Sequence, residues 1–363
     1  MPGAKGGVNV DKACLRLAIF FARQKGSDIS SVLNPNVPNW QSVRARVAYG
    51  AGSLEALSRL VRSNLQAGAV VLTLARRCAS DWVNSDGRIA PPSQVQRCSS
   101  INGIASSLDR PFETIRRHVQ WLIECNLVIR TPEGIALASD GLRQAEIASY
   151  LQNRYEHLGQ LIRHLVAAED MFAGPAPDLI RRIPAISLLE TAIDIDLAPF
   201  EFNKTLLSNL EITTVYSGIA VAGTRAIQAD PEASARYRFA NTPDHLRQSV
   251  SLRSIAQQFS MDYATVWRYA QKLKADGLLT RVSSQGWAVR TSDLHQDELY
   301  AASEKYFQYL RRILRGLVAD GFDPHASWVE LRPCDTDCRE RQLFNLPSAA
   351  PRQLSVSPSL IES

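Results

Sequence analysis

Long apolar runs are missing from this chain of 363 residues. The most apolar stretches, Leu17 to Ala22 and Ala67 to Ala75, fall far short of the roughly 20 residues a bilayer-spanning helix needs, so no membrane helix is expected. Arg16 and Arg23 bracket the first run closely and no clear small-residue cleavage site follows, so the N-terminus reads as a mature cytoplasmic start. Cysteine is sparse, with thiols at 14, 78, 98, 125, 334 and 338, no Cys-x-x-Cys and no disulfide-framework spacing, which points to reduced side chains. Only Cys334 and Cys338 lie close enough for a redox or metal pair, and no histidine or further cysteine nearby completes four ligands. The six histidines are dispersed; His157 and His164, seven apart on one helical face, read as surface residues. Phosphate loops, nucleophile elbows, zinc-protease helices and dinucleotide fingerprints are also missing, which argues against the corresponding enzymes. The expectation is a protein that is not an enzyme and carries no cofactor and no metal.

What is present is an ordinary globular composition, 45% hydrophobic and 21% charged, with a net charge of +5 that permits nucleic-acid binding without demanding it. The length suits two domains, each able to bury a core.

An internal repeat organises the chain. Ser100, Ile104, Ala105, Thr114, Arg117, Leu122 and Leu127 recur as Ser251, Ile255, Ala256, Thr265, Arg268, Leu273 and Leu278, all displaced by 151 positions. Further on, Leu158, Leu161, Arg163, Leu165, Val166 and Ala167 return as Leu310, Ile313, Arg315, Leu317, Val318 and Ala319, displaced by 152, and the extra residue fits a longer second hairpin. Upstream, the run Gly68 to Leu74 has a counterpart in Gly218 to Thr224. The Gly- and Pro-punctuated stretch 172–178 separates the copies. The expected organisation is an N-terminal helix and loop over 1–50, a first unit over 51–172 with its motif at 100–137, a linker and helical connection over 173–203, a second unit over 204–323 with its motif at 251–289, and a disordered tail over 324–363.

Each motif has the same grammar. In the first, Ile101 to Leu108 has helical spacing, Asp109 and Arg110 make a turn, and Pro111 opens a second helix that runs through Glu124, its missing N–H being dispensable there. In the second, Ser260-Met261-Asp262 occupies the turn, with Asp262 placed to cap the helix Tyr263 to Asp276. Asn126 and Gly277 can take the left-handed conformation that ends each helix. Leu127 to Leu137 and Leu278 to Val289 then read as hairpins turning at 131–134 and 283–286. Ile115, Val119 and Leu122, and likewise Val266, Ala270 and Leu273, recur at helical intervals and should face the core. That leaves Phe112, Glu113, Arg116, Arg117 and Gln120 exposed in the first copy, and Tyr263, Ala264, Trp267, Arg268 and Gln271 in the second.

With these parts in place, residues 100–137 and 251–289 resemble winged helix-turn-helix regulators. Because each motif sits between upstream helices and a long trailing helix, each unit resembles a MarR-type protomer, whose outer helices form a dimer interface. The resemblance implies a mainly α protein with small β-wings, built as tandem winged helix-turn-helix domains in an internal pseudo-dimer, with the long helices packing between the copies. It implies double-stranded DNA as partner, sequence-specific transcription regulation as function, and a monomer whose two second helices address successive major grooves about 34–36 Å apart. Arg116, Arg117, Gln120, Arg268 and Gln271 become base-reading candidates, since arginine pairs with guanine and glutamine with adenine. Phe112, Tyr263 and Trp267 share those faces, though Phe112 and Trp267 could instead finish a core. Thr114 and Thr265 suit phosphate oxygens, Arg130 and Arg281 could grip the backbone from the wing bases, and Arg110, Arg253 and Lys272 complete the interface. A small-molecule effector, unidentified by any polar cluster, could lie between the motif and the long helices.

The copies differ in charge: positions 247–293 hold seven basic residues against three acids, whereas 97–140 hold five of each, so the second copy has the stronger footprint for phosphate. Two alternatives stand beside the regulator reading. A plasmid-type replication initiator also joins two winged-helix domains in one chain, and a protein–protein interaction protein could use such modules without DNA. The stripes Ile147, Leu151, Leu158, Leu161 and Leu165 and Leu299, Tyr306, Leu310, Ile313 and Leu317 need partner surfaces, which the two long helices are expected to supply to one another.

Overall fold

A computed structural model of the chain describes residues 39–92, 97–138, 141–168, 185–202, 210–284, 286–290 and 297–324. Among these residues it holds eleven α-helices, two short 3-10 turns and two antiparallel hairpins, and no helix is long and apolar enough to cross a membrane. The first half runs α1 (Trp40–Leu60), α2 (Leu65–Arg77), α3 (Ile101–Ser107), α4 (Phe112–Glu124), β1 (Val128–Thr131), β2 (Gly134–Leu137) and α5 (Gly141–Ala167). The second half runs α6 (Ala185–Phe202), α7 (Leu210–Ala229), α8 (Pro231–Arg236), α9 (Leu252–Gln258), α10 (Tyr263–Ala275), β3 (Thr280–Arg281), β4 (Trp287–Ala288) and α11 (Asp297–Ala319). The expected N-terminal helix, the 172–178 linker, Cys334, Cys338 and the tail beyond 324 lie outside the described residues.

Local chemistry explains where the helices begin. Asn39 caps α1 by accepting from the Ser42 amide at 3.1 Å, Asn64 caps α2, and Asp230 caps α8 just before Pro231. Helix α1 runs unbroken through position 50 and is the first helix of the first half among the described residues.

The two halves interlock. Helix α1 packs on α5 of its own half and on α7 of the other; in the second half, α6 packs on α11 of its own half and on α2 of the first. Helix α2 packs on α4 and β2 as α7 packs on α10 and β4. The same set of contacts thus recurs with the halves exchanged, and one hydrophobic cluster runs from Tyr49 to Phe322 through both. Side-chain bonds tie the crossings: Arg44 of α1 donates to the carbonyls of Tyr237 and Ser234 at 3.1 Å each, and Gln228 of α7 donates to the Arg44 carbonyl at 3.1 Å. Burial and the nearby charge of Arg247 bring the Arg44 guanidinium down to about 10.

The long helices depart from expectation. They were expected to cover one another, but the main partners of α5 are α1 and α6, and that of α11 is α6. The reason is the swap of the first helices: α1 and α6 occupy the middle of the molecule, and the apolar stripes of α5 and α11 are satisfied there. Helix α6, read from sequence as a connection, is in fact the second-half counterpart of α1.

Candidate nucleic-acid interface

The sequence builds the same short structure twice from different residues. Ser100 caps α3 by accepting from the Gly103 amide at 3.0 Å, and Ser251 caps α9 by accepting from the Ser254 amide at 3.1 Å. Asp109 (φ 50°) and Ser260 (φ 52°) both take the left-handed conformation in the turn, which lets the next amides reach back: Arg110 to the Ala105 carbonyl at 3.0 Å, Met261 to that of Ala256 at 2.9 Å. Asp262 caps α10 through the Thr265 amide at 3.0 Å, whereas Pro111 precedes α4 with no side-chain cap. The second helices end alike, with Asn126 at φ 57° and Gly277 at φ 72°.

A hairpin follows in each half. In the first, Val128 pairs with Leu137 and Thr131 with Gly134; in the second, Thr280 pairs with Ala288 and Arg281 with Trp287. A third segment joins each hairpin, because Ser99 and Ile135 exchange amide bonds of 2.8 and 2.9 Å just as Val250 and Trp287 do. Gly134 is required there, since it sits at φ 147° and a Cβ on it would lie 2.7 Å from the Ser99 carbonyl oxygen.

Helices α4 and α10 divide their faces as the periodicity predicts. Ile115, Val119 and Leu122, with Val266, Ala270 and Leu273, are buried. Phe112, Tyr263 and Trp267 are exposed by 47%, 51% and 49%, so Phe112 and Trp267 do not finish a core. Arg116, Arg117, Gln120, Arg268 and Lys272 are also exposed, as are Arg110, Arg130 and Arg253, while Thr114, Thr265 and Gln271 are partly covered.

The two faces differ in how their charges are used. On α4, Arg116 grips Glu113 with two bonds, Nε to Oε2 at 2.8 Å and Nη2 to Oε1 at 2.7 Å, and Gln120 donates to Glu124 at 3.2 Å. Those bonds from Arg116 hold the Glu113 carboxyl below the usual range. The corresponding positions of α10 are Ala264, Trp267, Gln271 and Ala275, with no acid among them. The Arg268 guanidinium lies 5.3 Å from the Tyr269 ring centroid, and Arg281 curls over its own hairpin, donating to the carbonyls of Ser283 at 3.2 Å and Ser284 at 2.6 Å.

The seating of the two motifs is also unequal. Against the second, Ser58 of α1 donates to the Phe259 carbonyl, Ser63 donates to the carbonyls of Phe259 and Ser260, and Gln258 donates to Glu55 at 2.7 Å. Against the first, α6 leaves a cleft of about 360 Å³ bounded by Leu197, Phe200, Arg76, Arg77, Arg110 and His118. Pro199, inside α6 at this end, cannot donate a helical hydrogen bond. His118 is held below its usual pKa, first by burial and then by Arg117. The cleft lies beside the first motif, and its far wall is α6, not a long trailing helix.

Sequence reading missed a buried polar cluster between the halves. Arg154 of α5 grips Asp196 of α6 through Nε at 2.7 Å and Nη2 at 3.1 Å, with both side chains at 0% exposure. Its third nitrogen, Nη1, lies 2.7 Å from His157 Nδ1, and its guanidinium stacks 4.7 Å from the Tyr49 ring centroid. An arginine can only donate, so Nδ1 accepts and the ring proton sits on Nε2, and the Asn153 amide beside it, 3.3 Å away, has its oxygen toward the ring to accept that proton. His157 is therefore buried and neutral, not the surface residue expected; burial and then the charge of Arg154 push it down to about 3. The signal was available, since Arg154 stands in register with Ile147, Leu151 and Leu158 on an apolar stripe.

No group of three or more histidine, cysteine, aspartate or glutamate side chains that could hold a metal occurs among the described residues. No protein-family model, no curated protein and no solved structure matches this chain.

Proposed function

We propose that this protein binds double-stranded DNA through two non-identical winged helix-turn-helix motifs carried by one chain, and acts as a sequence-specific regulator of transcription. The observation that carries the reading is the repeated arrangement itself. Helices α4 and α10 are each held from behind by three apolar residues, and each presents an exposed arginine, Arg117 or Arg268, at the same register. A helix so held can enter the major groove while its neighbour, its cap and its hairpin meet the phosphates. The interlocked halves make an internal pseudo-dimer, so a single chain carries both readers and works as a monomer.

Arg117, Arg268 and Gln271 reach toward base edges. Thr114, Thr265, Arg130 and Arg253 contact the backbone, and Arg281 does so after leaving its own hairpin carbonyls. Lys272 adds charge beside them, and Arg110 sits at the turn that borders the cleft. The second motif supplies most of the phosphate attraction, because its basic residues are not offset by acids on the helix.

The test is a titration of the full chain against a mixed-sequence duplex at salt concentrations between about 50 and 200 mM. The expected result is a steep linear loss of log affinity with log salt, at about −0.9 per neutralised phosphate. Arg281→Ala should lower that slope by about 1. Salt-insensitive or undetectable binding at the lowest salt would mean that the motifs serve as protein-contact modules instead.

A further inference from the structure

We propose that the two motifs read chemically different half-sites: the first recognises a C·G-containing half through Glu113 and Arg116, and the second recognises the methyl groups of thymine through Tyr263, Ala264 and Trp267. This rests on the DNA-binding reading above and adds what each half of the site contains.

The two faces share a register; both begin on an exposed aromatic, Phe112 or Tyr263, and they differ in chemistry at the places that follow. Positions 113 and 116 on α4 correspond to 264 and 267 on α10, so the same two places on the groove-facing surface hold Glu and Arg in one half and Ala and Trp in the other. Glu113 and Arg116 are exposed by 58% and 52%, yet they form a two-bond fork. A carboxylate there accepts only, which suits the N4 amino group of cytosine, and a guanidinium donates only, which suits O6 and N7 of guanine. Held by each other in the unbound protein, the two groups enter the groove oriented, and each exchanges one ionic partner for one base edge.

On α10, two large aromatic side chains, Tyr263 and Trp267, are half exposed on either side of Ala264. An isolated apolar side chain in water needs no explanation, but two of them within one turn of a polar helix mark a contact surface. The charge around them identifies the occupant. Arg253, Arg268, Lys272, Lys274 and Arg281 belong to the same motif, and among the described residues between 251 and 289 the acids are the capping residues Asp262 and Asp276, so the charge favours a polyanionic partner. On duplex DNA the apolar feature of the major groove is the thymine C5 methyl group, and alanine and aromatic side chains are suited to it.

The discriminating probe is uracil, which pairs as thymine does but lacks the methyl group. Duplexes retained by the full chain from a random pool would be resynthesised with uracil for thymine in one half at a time. Affinity is expected to fall about threefold to fivefold per contacted methyl in the half governed by α10, and to fall less in the other, where Phe112, at the register of Tyr263, is the one exposed aromatic on the helix face. Trp267→Ala should lower the uracil penalty of that half by the share of the methyl it covers, about threefold to fivefold, and Trp267→Phe should keep it; the side chain is exposed, so neither change disturbs the core. Glu113→Gln should relax the cytosine preference of the other half while leaving the salt slope in place. Indifference to uracil in both halves, a penalty undiminished by Trp267→Ala, or an unaltered cytosine preference in Glu113→Gln overturns this proposal while steep salt-dependent binding still upholds the DNA reading. Failure to bind any duplex at low salt overturns both.

Discussion

Replacing Arg154 by methionine tests how the halves are joined. The Arg154 and Asp196 side chains have no solvent exposure, and the pair bridges α5 of one half to α6 of the other. Methionine fills much of the space but leaves the buried Asp196 carboxylate without its two charged hydrogen bonds and with the Tyr150 hydroxyl, 3.5 Å away, as its remaining donor, a loss of about 3–5 kcal/mol for a pair of this kind. A domain of ordinary stability holds only about 5–15 kcal/mol in total, so the effect is large. The double substitution Arg154→Met with Asp196→Leu removes both charges and should recover most of the loss. Equilibrium denaturation in urea would show the single variant unfolding at much lower denaturant with an unchanged slope. A contrast is internal to the molecule: Arg76 also crosses the halves, to Glu190 and Asp194 at 2.7 Å each, but it is 37% exposed, and Arg76→Met should cost no more than about 1 kcal/mol. If Arg154→Met is as mild as Arg76→Met, the buried pair does not hold the halves together.

Three further outcomes are expected. Asp262→Ala removes the side-chain cap of α10 and should cost about 1 kcal/mol by thermal unfolding, whereas Pro111→Ala should cost less, because Pro111 makes no capping bond. Gly134→Ala should lower the melting temperature by forcing the Ser99 carbonyl out of the first hairpin, while Gly50→Ala, where nothing lies within 4 Å, should leave it equal or higher. His157 stays neutral when folded down to about pH 3, while the unfolded chain takes up the proton near pH 6.5. The unfolded state therefore binds the extra proton through that window, and stability present above pH 6.5 declines as pH falls toward 3. His157→Gln should flatten part of that decline between pH 7 and 4.5, and an unchanged slope would show that the imidazole is not held neutral.

The motifs were legible because their signals are local. Helix spacing placed Ile115, Val119 and Leu122 inward, the turn residues Asn126 and Gly277 marked the helix ends, and Asp262 announced its cap. The shift in repeat displacement from 151 to 152 predicted the longer second hairpin, and the structure pairs Ser99 with Ile135 as it pairs Val250 with Trp287 across that same shift. The exchange of α1 and α6 was not legible, because an apolar stripe states that a helix needs a partner but not which half supplies it. Arg154 illustrates the same limit. Its place on an apolar stripe implied burial, yet its partner Asp196 lies 42 positions away in a helix that the repeat did not reach. The Glu113–Arg116 fork was hidden for a different reason, since both residues read as exposed and only the geometry shows that they face each other.

The most direct measurement is selection of duplexes from a random pool by the full chain, with Arg117→Ala and Arg268→Ala run beside it and the retained sequences read out. The predicted result is a bipartite, non-palindromic site with half-sites about one helical turn apart, in which each substitution relaxes only its own half. Retained sequences no different from the starting pool, or a site that neither substitution alters, would contradict the claim that these two helices read DNA.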